Sequence, residues 1–122
     1  MLTGITILIV EDEALVACDL AMAVEALEGI VIGPAATVAE ALALVADVPP
    51  AAAIVDANLL DRDVTPLALA LIEREIPFVI HTGTGLPAEL KAVHPDLPVV
   101  MKPMPSDTVL EKLADILASV TQ

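Results

Sequence analysis

The chain has 122 residues, enough for one domain with a genuine core and too few for two. Hydrophobic residues make up 57% of it, which argues against disorder, and with Phe78 as the only aromatic the core falls to Ala, Val, Leu and Ile. Eighteen acidic residues against five basic ones give a formal charge of −13 and argue against nucleic-acid binding, which draws on clustered bases, whereas Arg62, Arg74, Lys91, Lys102 and Lys112 are scattered.

The apolar start, Met1 to Val10, has no basic flank and runs directly into Glu11, Asp12 and Glu13, so a signal peptide is not expected. Ile5 to Val10 reads as a buried strand and Glu13 to Leu27 as a helix that Gly29 terminates. A short strand, Ile30 to Ile32, is expected to break at Gly33-Pro34. Thr37 with Glu40 three residues on has capping-box spacing and opens a helix through Ala46. Pro49-Pro50 closes that helix, and Ala52 to Val55 forms the third strand. A loop from Ala57 to Asp63 leads to Thr65-Pro66, read as N-cap and first helical position of a helix to about Arg74. Phe78 to His81 is the fourth strand, Ala88 to His94 at most a short Pro-bounded helix, and Leu97 to Met101 the fifth strand. After Pro105 an apolar stripe through Val109, Leu110, Leu113, Ile116, Leu117 and Val120 marks a final helix. It runs almost to Gln122, so no output domain is expected to follow.

Five βα repeats predict an α/β fold: a doubly wound five-stranded parallel sheet in the order 2-1-3-4-5, helices on both faces, flavodoxin-like, as a single domain over residues 1–122. No window of 18 apolar residues lacks a charge or a proline, so no membrane insertion is expected. The lone Cys18 has no disulfide partner in the chain and suits a reducing cytoplasm. Cys18 reads as helix core packing, and His81 as a strand-end histidine with its hydrogen bonds satisfied.

In such sheets, sites lie at the carboxyl ends of the strands, where the order reverses. Glu11 and Asp12 end strand one, Asp56 ends strand three, Thr82 ends strand four and Lys102 ends strand five. With strands about 4.8 Å apart, Lys102 starts roughly 10 Å from Asp56 and leans inward on a flexible stem. Each residue also has an ordinary reading: helix N-terminal charge for the acidic pair, a turn for Asp56, a solvated base for Lys102, a loop cap for Thr82. Their joint position at one rim outweighs these. Clustered carboxylates repel by about 4 kcal/mol per pair at an effective dielectric of 20, which a divalent cation relieves. Oxygen ligands alone point to Mg²⁺ or Mn²⁺. An ionised Asp is a nucleophile toward phosphorus, with Lys102 and Thr82 stabilising the transferred group.

The motifs Ile9-Val10-Glu11-Asp12-Glu13, Val55-Asp56-Ala57-Asn58-Leu59, His81-Thr82-Gly83 and Lys102-Pro103 together resemble those of response-regulator receiver domains, from Ile5 to about Val120. The resemblance implies that Asp56 is the phosphoacceptor, Asp12 a direct metal ligand, Glu11 a ligand mainly through water, and Asn58 a ligand through its backbone carbonyl. Thr82 would hydrogen-bond the phosphoryl group, Lys102 would pair with it, and the Lys102-Pro103 bond would be cis. Val99 stands where many receivers carry Tyr or Phe, so the aromatic half of the usual switch is missing. Ile76-Pro77-Phe78, Thr82-Gly83 and Gly85 resemble a bacterial branch rich in stand-alone receivers and often paired with HWE-type histidine kinases, with a mobile region after strand four. Gly83, Gly85, Pro87 and Pro95 independently predict a loose connection there.

The expected function is therefore Mg²⁺-dependent acceptance of phosphate from a histidine kinase or histidine phosphotransfer protein, with output by protein binding or as a phosphate sink. Other readings are a non-phosphorylated interaction domain of the same fold and a receiver fragment of a hybrid kinase. Enzymes acting on outside substrates are disfavoured. The chain lacks the Asp-x-Asp of aspartyl phosphatases at strand one, and it lacks the phosphate loop and stacking aromatics of a flavin site.

Overall fold

The computed structural model describes residues 2–120; the side chain of Val120 and the expected run toward Gln122 lie outside the described residues. The elements are β1 Thr6–Val10, α1 Ala14–Ala26, β2 Ile30–Ala35, α2 Val38–Asp47, β3 Ala52–Val55, α3 Thr65–Glu73, β4 Phe78–Thr82, α4 Ala88–Val93, β5 Val99–Met101 and α5 Ser106–Val120. The five strands form one sheet in the order β2-β1-β3-β4-β5, all pairs parallel. This is the expected doubly wound architecture.

Side chains alternate across each strand, and the two faces bury separate cores. Leu8, Val10, Ala53, Val55 and Ile80 face α2, α3 and α4, where Val38, Ala41, Leu67, Leu71 and Leu90 pack. Ile7, Ile9, Ile54, Val79 and Val100 face α1 and α5, where Leu20, Val24, Val109, Leu110 and Leu113 pack. Both faces being covered explains why β1, β3 and β4 read as continuous apolar runs rather than alternating ones.

Several expectations need correction. β2 continues through Gly33-Pro34 to Ala35, with its register shifted between Leu8 and Val10. It is an edge strand, where Pro forfeits no ladder bond. Gly33 has φ +92°, and a Cβ there would lie 2.8 Å from the Ala35 nitrogen and 2.9 Å from the Ile9 oxygen. Gly29 does not supply the left-handed residue that ends α1; Glu28 does, at φ 69°. Gly29 instead lets the chain return past α1, since a Cβ would meet Val24 Cγ1 at 2.8 Å. The N-cap of α3 is Val64 rather than Thr65, and the Asp63 carboxylate accepts from the Thr65 N–H at 2.9 Å. Cys18 is exposed, because the core face of α1 is set by Ala17, Leu20 and Val24.

The capping box of α2 forms in a shifted version. Thr37 Oγ1 accepts from Glu40 N–H at 3.0 Å, and Glu40 Oε1 accepts from Ala36 N–H at 3.0 Å. A second cap arrives from far along the chain. The Asp61 carboxylate accepts from Val38 N–H at 2.8 Å and from Ala39 N–H at 3.1 Å. Those N–H groups, Val38 first, hold the Asp61 carboxyl below the ordinary aspartate range.

Candidate functional site

Register places the strand ends on one rim. Val10 pairs with Val55, Val55 with Ile80, Ile80 with Val99 and Thr82 with Met101. Glu11 and Asp56 therefore leave the sheet side by side, level with His81 and Val100, and Lys102 leaves β5 two residues further along, after Met101. Backbone bonds extend the ladder by one step: Asp56 N–H donates to Val10 O at 2.9 Å, Glu11 N–H to Ala35 O at 2.8 Å, and Lys102 N–H to Thr82 O at 2.7 Å. The carboxylates are thus held on rigid strand ends rather than on loose loops.

Glu11, Asp12 and Asp56 each offer a carboxylate oxygen, and these lie within 4.8 Å of one another. Glu11 is 3% exposed and Asp56 7%, while Asp12 is half-buried. The Lys102 stem leans inward as expected. Its Nζ stands 3.0 Å from Asp56 Oδ2 and 2.9 Å from Glu11 Oε1. It also reaches Glu13 Oε2 at 3.0 Å, a partner that was not anticipated. The third acid in the run Glu11-Asp12-Glu13 was the available signal. Glu13 N–H donates in turn to Glu11 Oε2 at 3.2 Å, which fixes the buried side chain at the start of α1.

Charge is finely balanced here. Burial pushes the Glu11 carboxyl from an ordinary 4.5 up to about 7; the Lys102 contact opposes this and Asp56 adds to it. Burial alone would lower the Lys102 ammonium, but Glu11, Glu13 and Asp56 together hold it above its usual value. One ammonium facing this many acids leaves a net negative pocket. Carboxylate oxygens at this spacing, with no sulfur or imidazole among them, fit a hard divalent cation such as Mg²⁺. Asp12, Asp56 and Glu11 are the residues that would hold it.

Asn58 is exposed in the loop after β3, and its N–H points at Asp56 Oδ1 at 3.4 Å, a long contact. Its side-chain amide donates to Thr84 Oγ1 at 2.9 Å. Thr82 is fully buried, and its hydroxyl is engaged by Thr84 rather than by Asp56. Thr84 was not anticipated, although its place two residues after Thr82 was visible. His81 departs from expectation: it is 4% exposed, yet neither ring nitrogen has a hydrogen-bond partner among the described residues. Burial, and then the Lys102 charge, keep its imidazole below the ordinary value.

No family model matches the sequence, and neither does any curated protein. Solved structures do. SdrG from Sphingomonas melonis Fr1 is 41% identical, with 96% of this chain covering 99% of that one at a TM-score of 0.79. The response regulator PhyR from Brucella abortus is 29% identical at a TM-score of 0.81. The chain belongs to the response-regulator receiver family. The match to PhyR takes in 98% of this receiver but only 50% of that protein, so the chain spans half its length. The receiver domain of a modulated diguanylate cyclase from Desulfovibrio desulfuricans G20, 24% identical, shares the fold at a TM-score of 0.82. No helix among the described residues is long and apolar enough to cross a membrane.

Proposed function

We propose that this receiver accepts a phosphoryl group on Asp56 from a phosphohistidine, in a Mg²⁺-dependent step of a two-component system or phosphorelay. The observation that carries the reading is the position of the Lys102 ammonium, 3.0 Å from Asp56 Oδ2, beside the oxygens that Glu11, Asp12 and Asp56 offer within 4.8 Å of one another. An Asp56 oxygen forms a bond to phosphorus as the phosphorus–nitrogen bond of the donor breaks, and the imidazole keeps the electron pair and takes up a proton. A bound Mg²⁺ supplies charge neutralisation at the phosphoryl oxygens. Lys102, already held at the carboxylate, pairs with the same oxygens as charge moves onto them. Asp12, Asp56 and Glu11 would hold the cation, with the Asn58 carbonyl as a further ligand. Thr82 donates to the phosphoryl group once it has formed.

The protein is thus a phosphoacceptor assisting its own transfer, not an enzyme acting on an outside substrate. Its donor is a histidine kinase, of the HWE type on the resemblance carried by Ile76-Pro77-Phe78, Thr82-Gly83 and Gly85, or a histidine phosphotransfer protein. Its output is protein binding or the draining of phosphate, in the cytoplasm. The test is labelling by acetyl phosphate with Mg²⁺, followed by intact mass. Labelling is expected to vanish with EDTA and in Asp56→Ala. A phosphorylated Asp56→Ala protein would move the acceptor elsewhere and overturn the reading.

A further inference from the structure

Thr82 is the member of the cluster with no solvent contact at all. Among the described residues its hydroxyl oxygen meets two groups, both from Thr84. The Thr84 N–H donates to it at 3.1 Å, and the Thr84 hydroxyl oxygen lies 3.2 Å away, with either oxygen able to be the donor. The Thr84 oxygen also accepts from Asn58 Nδ2 at 2.9 Å.

Burial decides which hydroxyl gives its proton to the other. A hydroxyl has one proton and two acceptor positions. Thr84 is exposed, so its proton can go to water. The Thr82 proton has no water to reach, and a buried donor left unpaired is costly. Thr82 therefore donates to Thr84, whose other acceptor position is filled by Asn58. We propose that Thr84 is a positioning residue whose hydroxyl holds the Thr82 hydroxyl in its resting place, away from Asp56, and so sets how readily the switch is thrown.

This rests on the phosphoacceptor reading. A phosphoryl oxygen on Asp56 is anionic and competes for the Thr82 proton through a stronger, charge-assisted hydrogen bond. When Thr82 turns to it, the neutral hydrogen bonds with the Thr84 hydroxyl and the Thr84 N–H give way and one charged one forms. The Thr84 hydroxyl is released to solvent, and Asn58 keeps its acceptor. The asymmetry requires a hydroxyl at position 84, which Ser preserves and Val, of the same shape, does not.

The test is a titration with beryllofluoride and Mg²⁺, read by amide spectra, on the unaltered protein, Thr84→Val and Thr84→Ser. Thr84→Val loses the resting bond, so it is expected to bind beryllofluoride about three- to tenfold more tightly, the effect of one hydrogen bond. Its Thr82 amide resonance in the free protein is expected to move toward the bound position, and Thr84→Ser to restore both. Thr84→Ala removes the same hydroxyl and serves if Val crowds the loop. Equal or weaker affinity in the hydroxyl-free variants, with a normal response in the unaltered protein, overturns the restraint alone. No response in the unaltered protein overturns the phosphoacceptor reading and the restraint with it.

Discussion

Raising the pH from 5 to 8 without divalent cations is expected to weaken the fold through one carboxyl, Glu11. Its side chain is nearly sealed from solvent, at 3% exposure, and its carboxyl titrates near 7 in the folded protein against an ordinary 4.5. Between those values the folded protein keeps a proton that the unfolded chain releases. Stability therefore falls as pH climbs from 4.5 through 7 and levels off above it. The full displacement is worth on the order of 3 kcal/mol, of which about 2.5 kcal/mol falls between pH 5 and pH 8. The assay is urea unfolding in EDTA at half-unit intervals on the unaltered protein and on Glu11→Gln. Subtracting the variant removes the general self-repulsion of a chain with net charge −13. Mg²⁺ must displace the same proton, so its affinity is expected to be about tenfold weaker at pH 6 than at pH 8. A difference between the two proteins that is flat, or that grows in favour of the unaltered one as pH rises, would refute the argument from burial.

Two further perturbations probe the frame around the site. Gly33→Ala meets backbone atoms at 2.8 and 2.9 Å at a φ of +92°, whereas Gly85→Ala, at φ +84°, meets nothing within 4 Å. Urea unfolding is expected to show a loss of about 1–3 kcal/mol at position 33 and clearly less at position 85, and equal losses would sink the crowding argument. Thr37→Ala removes the acceptor for Glu40 N–H and is expected to cost about 1 kcal/mol; no change in the unfolding midpoint would mean that Asp61 alone suffices to cap α2.

Much of the fold was legible because local rules carry it. Continuous apolar runs such as Ile7 to Val10 and Ala52 to Val55 signal strands covered on both faces, and alternation with helical segments forces parallel pairing. The boundaries that failed are those where the sheet's context overrides the residue. Pro34 stays in β2 because β2 is an edge, and Gly29 serves a close approach rather than a left-handed turn.

From the sequence alone, the strand ends could be found and their polar residues assigned to one rim, because register and strand order leave few alternatives once five repeats are recognised. What the folded chain alone decided were matters of contact between residues distant in sequence. Lys102 gathers Glu11, Asp56 and also Glu13 around one ammonium. Asp61 caps a helix more than twenty residues away. Thr84 rather than Asp56 holds the Thr82 hydroxyl, and His81 is buried with no hydrogen-bond partner among the described residues. Spacing along a chain says which side chains share a rim. It does not say which way a flexible stem turns or which proton lacks water, because those depend on packing from every neighbouring element at once.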